Sequence, residues 1–239
     1  MKTCFILGAS GGIGQAIAKK LARSGYSLIL HYQTNQHAIE QLCHSLPDGT
    51  VLQTVQCDLR NEPSIDEMIK SIVCPVDTLV FASGTSLVKL FQDVTSKEME
   101  DLLLIHIKSP WLISQRLLPH MIKQRKGHIV MISSIWGEVG ASCEVVYSSV
   151  KGAQDSFVKA LAKEVGPSGV HVNGIRPGFI QTDMNAHFSS EDLSQIKEEI
   201  PLGRLGEPRD VADAVEFLVG DGSSYVHGQM LNVNGAWSG

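Results

Sequence analysis

The chain has 239 residues, 43% of them hydrophobic and 19% charged, with a formal net charge of −5; it can bury a full core, is not disordered, and carries no general attraction for nucleic acid or membrane phosphate. Its five cysteines, Cys4, Cys43, Cys57, Cys74 and Cys143, are odd in number and form no C-x-x-C pair, which points to free thiols in a reducing compartment rather than a disulfide frame or a zinc site. No apolar run approaches the ~18 residues of a membrane span, and the N-terminus lacks a signal-peptide pattern, so the expectation is a cytoplasmic protein with no membrane partner.

In chain order, "CFILG" reads as a buried strand and "GIGQAIAKKLARSG" as a helix closed by Gly25. "SLILHY" is the next strand, and a helix over about 36–46 stops at "PDG". "TVLQTVQCD" is a third strand, followed by "EPSIDEMIKSIV", a helix with its proline near the start. "DTLVFASG" is a fourth strand. A long helical stretch over about 96–124 has Pro110 and Pro119 as bending points. "GHIVMISS" is a fifth strand, "YSSVK" opens the next helix, and "GVHVNGIRPG" is a sixth strand. Residues 179–200 read as irregular or partly helical, "EPRDVADAVEFLVG" as a helix, and "QMLNVNG" as a last short strand.

Strand–helix alternation with strands that are apolar throughout predicts an α/β fold: a single doubly wound, Rossmann-like parallel sheet of about seven strands with helices on both faces. It is expected to span 1–239 as one domain, with its ligand beyond the carboxyl ends of the strands, where strand order reverses.

The first strand runs into "GASGGIG", with Gly8, Gly11, Gly12 and Gly14 at the head of a helix. Glycines admit a phosphate close to backbone N–H groups, and the helix offers its positive end. The spacing is not literally G-x-G-x-x-G. At the end of the second strand, where an NAD-selective site places an acid, His31, Tyr32, Gln33, Thr34 and Asn35 include none; that favours NADP(H). Asp58 closes the third strand and is a candidate acceptor for an adenine amino group. Tyr147 and Lys151 lie four apart on one helix face. The ammonium is expected to lower the phenol from its usual pKa of about 10.

Taken together these segments resemble the short-chain dehydrogenase/reductase family over essentially the whole chain. "GASGGIG" is similar to the family's T-G-x-x-x-G-x-G, with Leu7 where threonine is usual. "CDL" at 57–59 is similar to its adenine-side motif, and "FASG" at 81–84 stands where N-N-A-G is common. "ISS", "YSSVK" and "IRPGFIQTDM" resemble the catalytic serine, the Y-x-x-x-K pair and the P-G cofactor motif, with Ser134 thirteen residues before Tyr147.

The resemblance implies a carbonyl reductase. Tyr147 would give a proton to the carbonyl oxygen, Ser134 would fix that oxygen, and Lys151 would bond the nicotinamide ribose. NADP(H) would lie along Gly8, Ser10, Gly11, Gly12, Ile13, Gly14, Asp58, Leu59, Ala82, Ser83, Gly84, Tyr147, Lys151, Pro177, Gly178, Ile180 and Thr182. A homo-tetramer or homo-dimer packed through the helices around 96–124 and 147–166 is also implied.

Within the family the chain resembles the 3-oxoacyl-[acyl-carrier-protein] reductases. Through "SSIWGEVGASCEVVYSSVKGA" it resembles a bacterial branch that reduces 5-aminopentanone on modified elongation factor P. Several positions depart from the family pattern. His106 stands where many relatives place an asparagine that holds a relay water, and an imidazole there is expected to titrate near neutral pH and carry the relay. Arg125 matches one of two basic residues that greet an acyl carrier protein, but Ser168 occupies the other position. Glu138 and Glu144, between Ser134 and Tyr147, suit a cationic substrate. Residues 179–200, including Met184 and Phe188, are expected to form a lid. A non-catalytic NADP-binding sensor is the reading from another class; the Ser134, Tyr147 and Lys151 set argues against it. No histidine spacing suggests a catalytic metal.

Overall fold

Strands that read as unbroken apolar runs take the middle of the sheet, where both faces are covered. All seven residues of the second strand are buried, as are the last five of the first. In the computed structural model, which describes residues 2–182, 185 and 188–238, the elements in order are β1 (Lys2–Leu7), α1 (Gly12–Arg23), β2 (Tyr26–Tyr32), α2 (Gln36–His44), β3 (Val51–Gln56), α3 (Glu62–Ser71), β4 (Thr78–Phe81), α4 (Ser96–Leu103), α5 (Ser109–Gln124), β5 (Gly127–Ile132), the single turn α6 (Trp136–Val139), α7 (Val145–Val165), β6 (Val170–Pro177), α8 (Ser190–Glu199), α9 (Pro208–Val219) and β7 (Met230–Val233). The seven strands form one sheet in the order β3-β2-β1-β4-β5-β6-β7, and every neighbouring pair is parallel. The order reverses between β1 and β4, which opens a crevice beyond their carboxyl ends.

Two cores flank the sheet. One packs Ile17 and Leu21 of α1, Ile39 and Leu42 of α2, and Val211, Val215 and Leu218 of α9 against Ile6, Leu30, Val130 and Ile175. The other packs Ile65 and Met68 of α3, Ile113 and Met121 of α5, and Val158, Ala162 and Val165 of α7 against Leu7, Phe81, Ile129 and Val172. Alternate residues of each strand serve opposite faces, as period-two geometry requires. Helix starts follow local chemistry: Asn35 and Asn61 each accept from a backbone N–H three residues on, and Thr95 with Glu98 forms a capping box.

The stretch over 96–124 is not one regular helix. Residues 104–108 form a wider π turn between α4 and α5. The cause lies at Pro110, which has no N–H to give and whose ring crowds the carbonyl four residues back, that of His106. The freed carbonyl accepts instead from the Gln154 side chain of α7 at 2.8 Å. Pro119, the second expected bending point, leaves α5 continuous to Gln124.

Candidate active site

Two adjoining hollows occupy the carboxyl ends of the strands. The first, about 340 Å³, is lined by Gly8, Ser10, Gly11, Gly12, Ile13 and Gly14 from one side and by Leu59, Ala82, Ser83, Gly84 and Thr182 from the other. The glycines are there for space: a Cβ on Gly14 would stand 2.2 Å from the Gly8 carbonyl oxygen. His31, 2% exposed, braces this loop from below. Its Nδ1 accepts from the Gly8 N–H at 3.0 Å, and its Nε2 lies 3.0 Å from the Cys57 carbonyl. Burial lowers the imidazole to about 4, so it is neutral at pH 7 and free to accept. Asp58 stands apart from this lining; its carboxylate is forked by Arg60 at 2.8–3.2 Å.

This cradle fits a dinucleotide. It offers a loop whose backbone a side chain would fill, at the head of a twelve-residue helix, and that suits a pyrophosphate. Gln33 and Thr34 of the β2 end line the same hollow, and no acid stands among its described lining residues.

The second hollow, about 360 Å³, shares Ile13, Ala82, Ser83, Gly84 and Thr182 with the first and adds Ser134, Tyr147, Lys151, Pro177, Gly178 and Ile180. Ser134 lies just past β5, and its neighbour Ser133 is tied to β6 by a bond from its N–H to the Ile175 carbonyl, 2.8 Å. The Ser133 hydroxyl donates to the Lys151 carbonyl, which locks the strand end to α7. The Ser134 Oγ accepts from the Trp136 N–H at 3.2 Å. On α7, the Lys151 Nζ stands 5.5 Å from the centre of the Tyr147 ring and donates to the Ile132 carbonyl at 3.0 Å.

Electrostatics here differ from the expectation at two groups. The phenol of Tyr147 is raised, not lowered. Burial drives it up, the Glu144 charge adds to this, and hydrogen bonding with Ser134 opposes it. Lys151, 4% exposed, is itself lowered to about 7 by burial, against the pull of Asp155. Desolvation penalises the charged form of both groups. His106 is likewise lowered to about 3, by burial and then by Lys151, so it does not titrate near neutral pH. Its Nε2 lies 2.9 Å from the Thr85 carbonyl, its Nδ1 is buried without a hydrogen-bond partner, and its ring meets that of Tyr147 edge-on at 5.7 Å. A Cβ on Gly84 would stand 2.6 Å from the His106 ring, which is why a residue without a side chain is needed there.

The two candidate acids part company. Glu138 is held by Arg176 at 2.7 Å and by Asn232 at 2.9 Å, and it does not line the cleft. Glu144 does, and it is the only carboxylate among the described lining residues. Burial raises its carboxyl, and hydrogen bonding with Trp136 opposes the rise. Around it the wall is apolar: Trp136 and Trp237 meet at 5.4 Å, and Phe179 and Phe188 at 5.3 Å. Asn185 and Ile196 of the 179–200 segment also line the cleft; Met184 lies outside the described residues. Sequence reasoning did not find Trp237 or Asn185, which reach the cleft only through tertiary folding. Arg125 sits in left-handed backbone at φ 50° and donates to the Pro167 carbonyl, beside Ser168.

Residues 8–238 match the protein family described as enoyl-(acyl carrier protein) reductase. The chain is 47% identical over 238 residues to the uncharacterized oxidoreductase YmfI of Bacillus subtilis (strain 168), covering 99% of this chain and 98% of that one. It is 39% identical over 240 residues to the 3-oxoacyl-[acyl-carrier-protein] reductase FabG of Aquifex aeolicus (strain VF5), covering 98% and 96%. A putative NAD(P)-dependent gluconate 5-dehydrogenase of Beutenbergia cavernae, solved with bound NADP, superposes with a TM-score of 0.92 at 28% identity, covering 99% and 96%.

Proposed function

We propose, from the premise that the chain belongs to the short-chain dehydrogenase/reductase family, that this oxidoreductase uses NADPH to reduce a ketone bearing an ammonium group, the 5-aminopentanone carried by modified elongation factor P in the cytoplasm. The observation that carries the reading is the meeting of Ser134, Tyr147 and Lys151 in one cleft whose sole described carboxylate is Glu144. The B. cavernae relative's bound NADP supports the cofactor, as does the acid-free end of β2. Gly8, Ser10, Gly11, Gly12, Ile13 and Gly14 would hold the pyrophosphate, with Leu59 and Asp58 on the adenine side. Ala82, Ser83, Gly84, Pro177, Gly178, Ile180 and Thr182 would flank the nicotinamide half.

When bound, the cofactor supplies a hydride. The chain's own residues do the rest. Tyr147, kept protonated by burial, donates its proton to the carbonyl oxygen. Ser134 hydrogen-bonds that oxygen and fixes its place. Lys151 stabilises the phenolate left behind and bonds the ribose. Neutral His106, with its free Nδ1, accepts in the relay that reprotonates the pair. Glu144, hydrogen-bonded with Trp136, neutralises the substrate ammonium. Phe179, Asn185, Phe188 and Ile196, from the described part of the expected lid, would cover it.

The second reading, reduction of a 3-oxoacyl group on an acyl carrier protein, is favoured by the A. aeolicus relative; a homo-tetramer or homo-dimer accompanies either reading. Two measurements separate them. NADPH oxidation is compared between an amine-bearing methyl ketone and an acetoacetyl thioester, and elongation factor P is examined by mass spectrometry with and without this gene. Preference for the thioester and an unchanged elongation factor P would reject the aminoketone reading. Turnover of neither substrate would leave a nucleotide-binding sensor.

A further inference from the structure

Lys151 has a buried acid one helical turn beyond it on α7. Asp155 and Lys151 share a helix face, and each is 4% exposed. Asp155 Oδ2 accepts from Arg176 Nε at 2.7 Å, while its Oδ1 is buried without a hydrogen-bond partner. Arg176 on β6 also reaches Glu138 of α6 at 2.7 Å and the side chain of Asn232 on β7 at 3.5 Å. Arg176 pairs with the buried Asp155 and with Glu138, whose side chain is 44% exposed, so one cation faces two carboxylates. The Asp155 Oδ1 left without a partner is costly to bury unless a second cation offsets it, and Lys151 lies one turn away.

We propose that Asp155 is a positioning residue of the active site: held by Arg176, its carboxylate is the counter-ion that favours the ammonium form of Lys151 beneath Tyr147. The proposal rests on the ketone-reductase reading. The groups acting on Lys151 and Tyr147 are His106 from the π turn, Glu144 at the head of α7, and Asp155 itself. Arg176 and, beyond it, Glu138 with Lys159 act on the far side of Asp155. His106 is neutral above pH 3 or so, so it supplies no competing switch at working pH. Burial pulls the lysine down, and Asp155 opposes that pull.

The test compares the pH profile of ketone reduction in wild type, Asp155→Asn, Asp155→Glu and Arg176→Gln. The same proteins, labelled with 13C-lysine, give the Lys151 titration directly by NMR, assigned with Lys151→Met. Loss of the Asp155 charge makes the first proton of the Tyr147–Lys151 pair easier to lose. The alkaline limb and the Lys151 titration therefore both move down, by about one to three pH units. Loss of the Arg176 charge leaves the carboxylate wholly to Lys151 and moves both up. Asp155→Glu restores the wild-type profile. Opposite shifts are not what general loosening produces. If both variants leave the Lys151 titration in place, or move it the same way, the proposal is overturned. Should Asp155→Asn not fold, the upward shift in Arg176→Gln decides it. If wild type reduces no ketone, the ketone-reductase reading fails, and the Lys151 resonance still rules on Asp155.

Discussion

The two hollows are built by different means. The glycine-loop hollow draws most of its described lining from two short contiguous segments, Gly8–Gly14 and Ala82–Thr85, with glycines where a Cβ would collide. The substrate hollow is made of side chains gathered from distant segments, among them Val88, Glu144, Phe188, Ile196 and Trp237. A backbone cradle recognises what every dinucleotide presents and tolerates little change in its own residues. A side-chain wall can be rewritten residue by residue without moving the sheet, which is how one fold comes to serve many substrates.

Four outcomes would sharpen or break that contrast. The largest belongs to the junction. Tyr147→Phe is expected to lower kcat by about 10²–10⁴-fold while NADPH affinity, read by fluorescence titration, stays within a few-fold. Equal loss of both would erase the boundary between the hollows. Next is Gly14→Ala, whose Cβ would meet the Gly8 carbonyl oxygen at 2.2 Å. Overpacking of about 1–3 kcal/mol, falling on the cofactor loop, raises the NADPH Kd about ten- to hundredfold, equally for every ketone. A loss that depended on the ketone would show that the loop also reads substrate.

Glu144→Gln is expected to cost about tenfold in kcat/KM for an amine-bearing ketone, the scale of one hydrogen bond to a charged group, and little for a neutral one. Equal losses for both ketones would end the counter-ion reading. The last effect vanishes at pH 7. His31, His106 and His128 are held at about 4, 3 and 4, below the unfolded value of about 6.5. Between those limits the unfolded chain binds more protons, so stability is complete above about pH 6.5 and falls as pH falls toward 3. Each histidine contributes a slope of about 1 kcal/mol per pH unit. Denaturant melts across that window should show a shallower acid decline in His106→Asn; a decline identical to wild type would mean that His106 is solvated.

Much of the architecture was legible because it depends on local pattern. Strand–helix alternation announces a parallel sheet, Pro63 and Gly25 mark helix ends, and Pro110 marks a disturbance. The width of the disturbance was not legible. A π turn needed Gln154, forty-eight residues on, to receive the carbonyl that Pro110 set free. Tyr147 and Lys151 could be paired from their spacing, yet the direction of their shifts could not. Spacing states proximity; only burial sets the desolvation that raises the phenol and lowers the ammonium.

Glu138 and Glu144 illustrate the same division. Both are acids in one short segment, and nothing local tells them apart. Arg176 from β6 and Asn232 from β7 take the first, and α7 turns the second into the cleft. By itself the sequence determined the element types, the glycine loop and the helix face shared by Tyr147 and Lys151, because these follow from backbone sterics and periodicity between near neighbours. Tertiary structure alone decided which charges are paired, which are buried, and which side chains face one another, because Coulomb and desolvation energies depend on distance and surroundings in space rather than on separation along the chain.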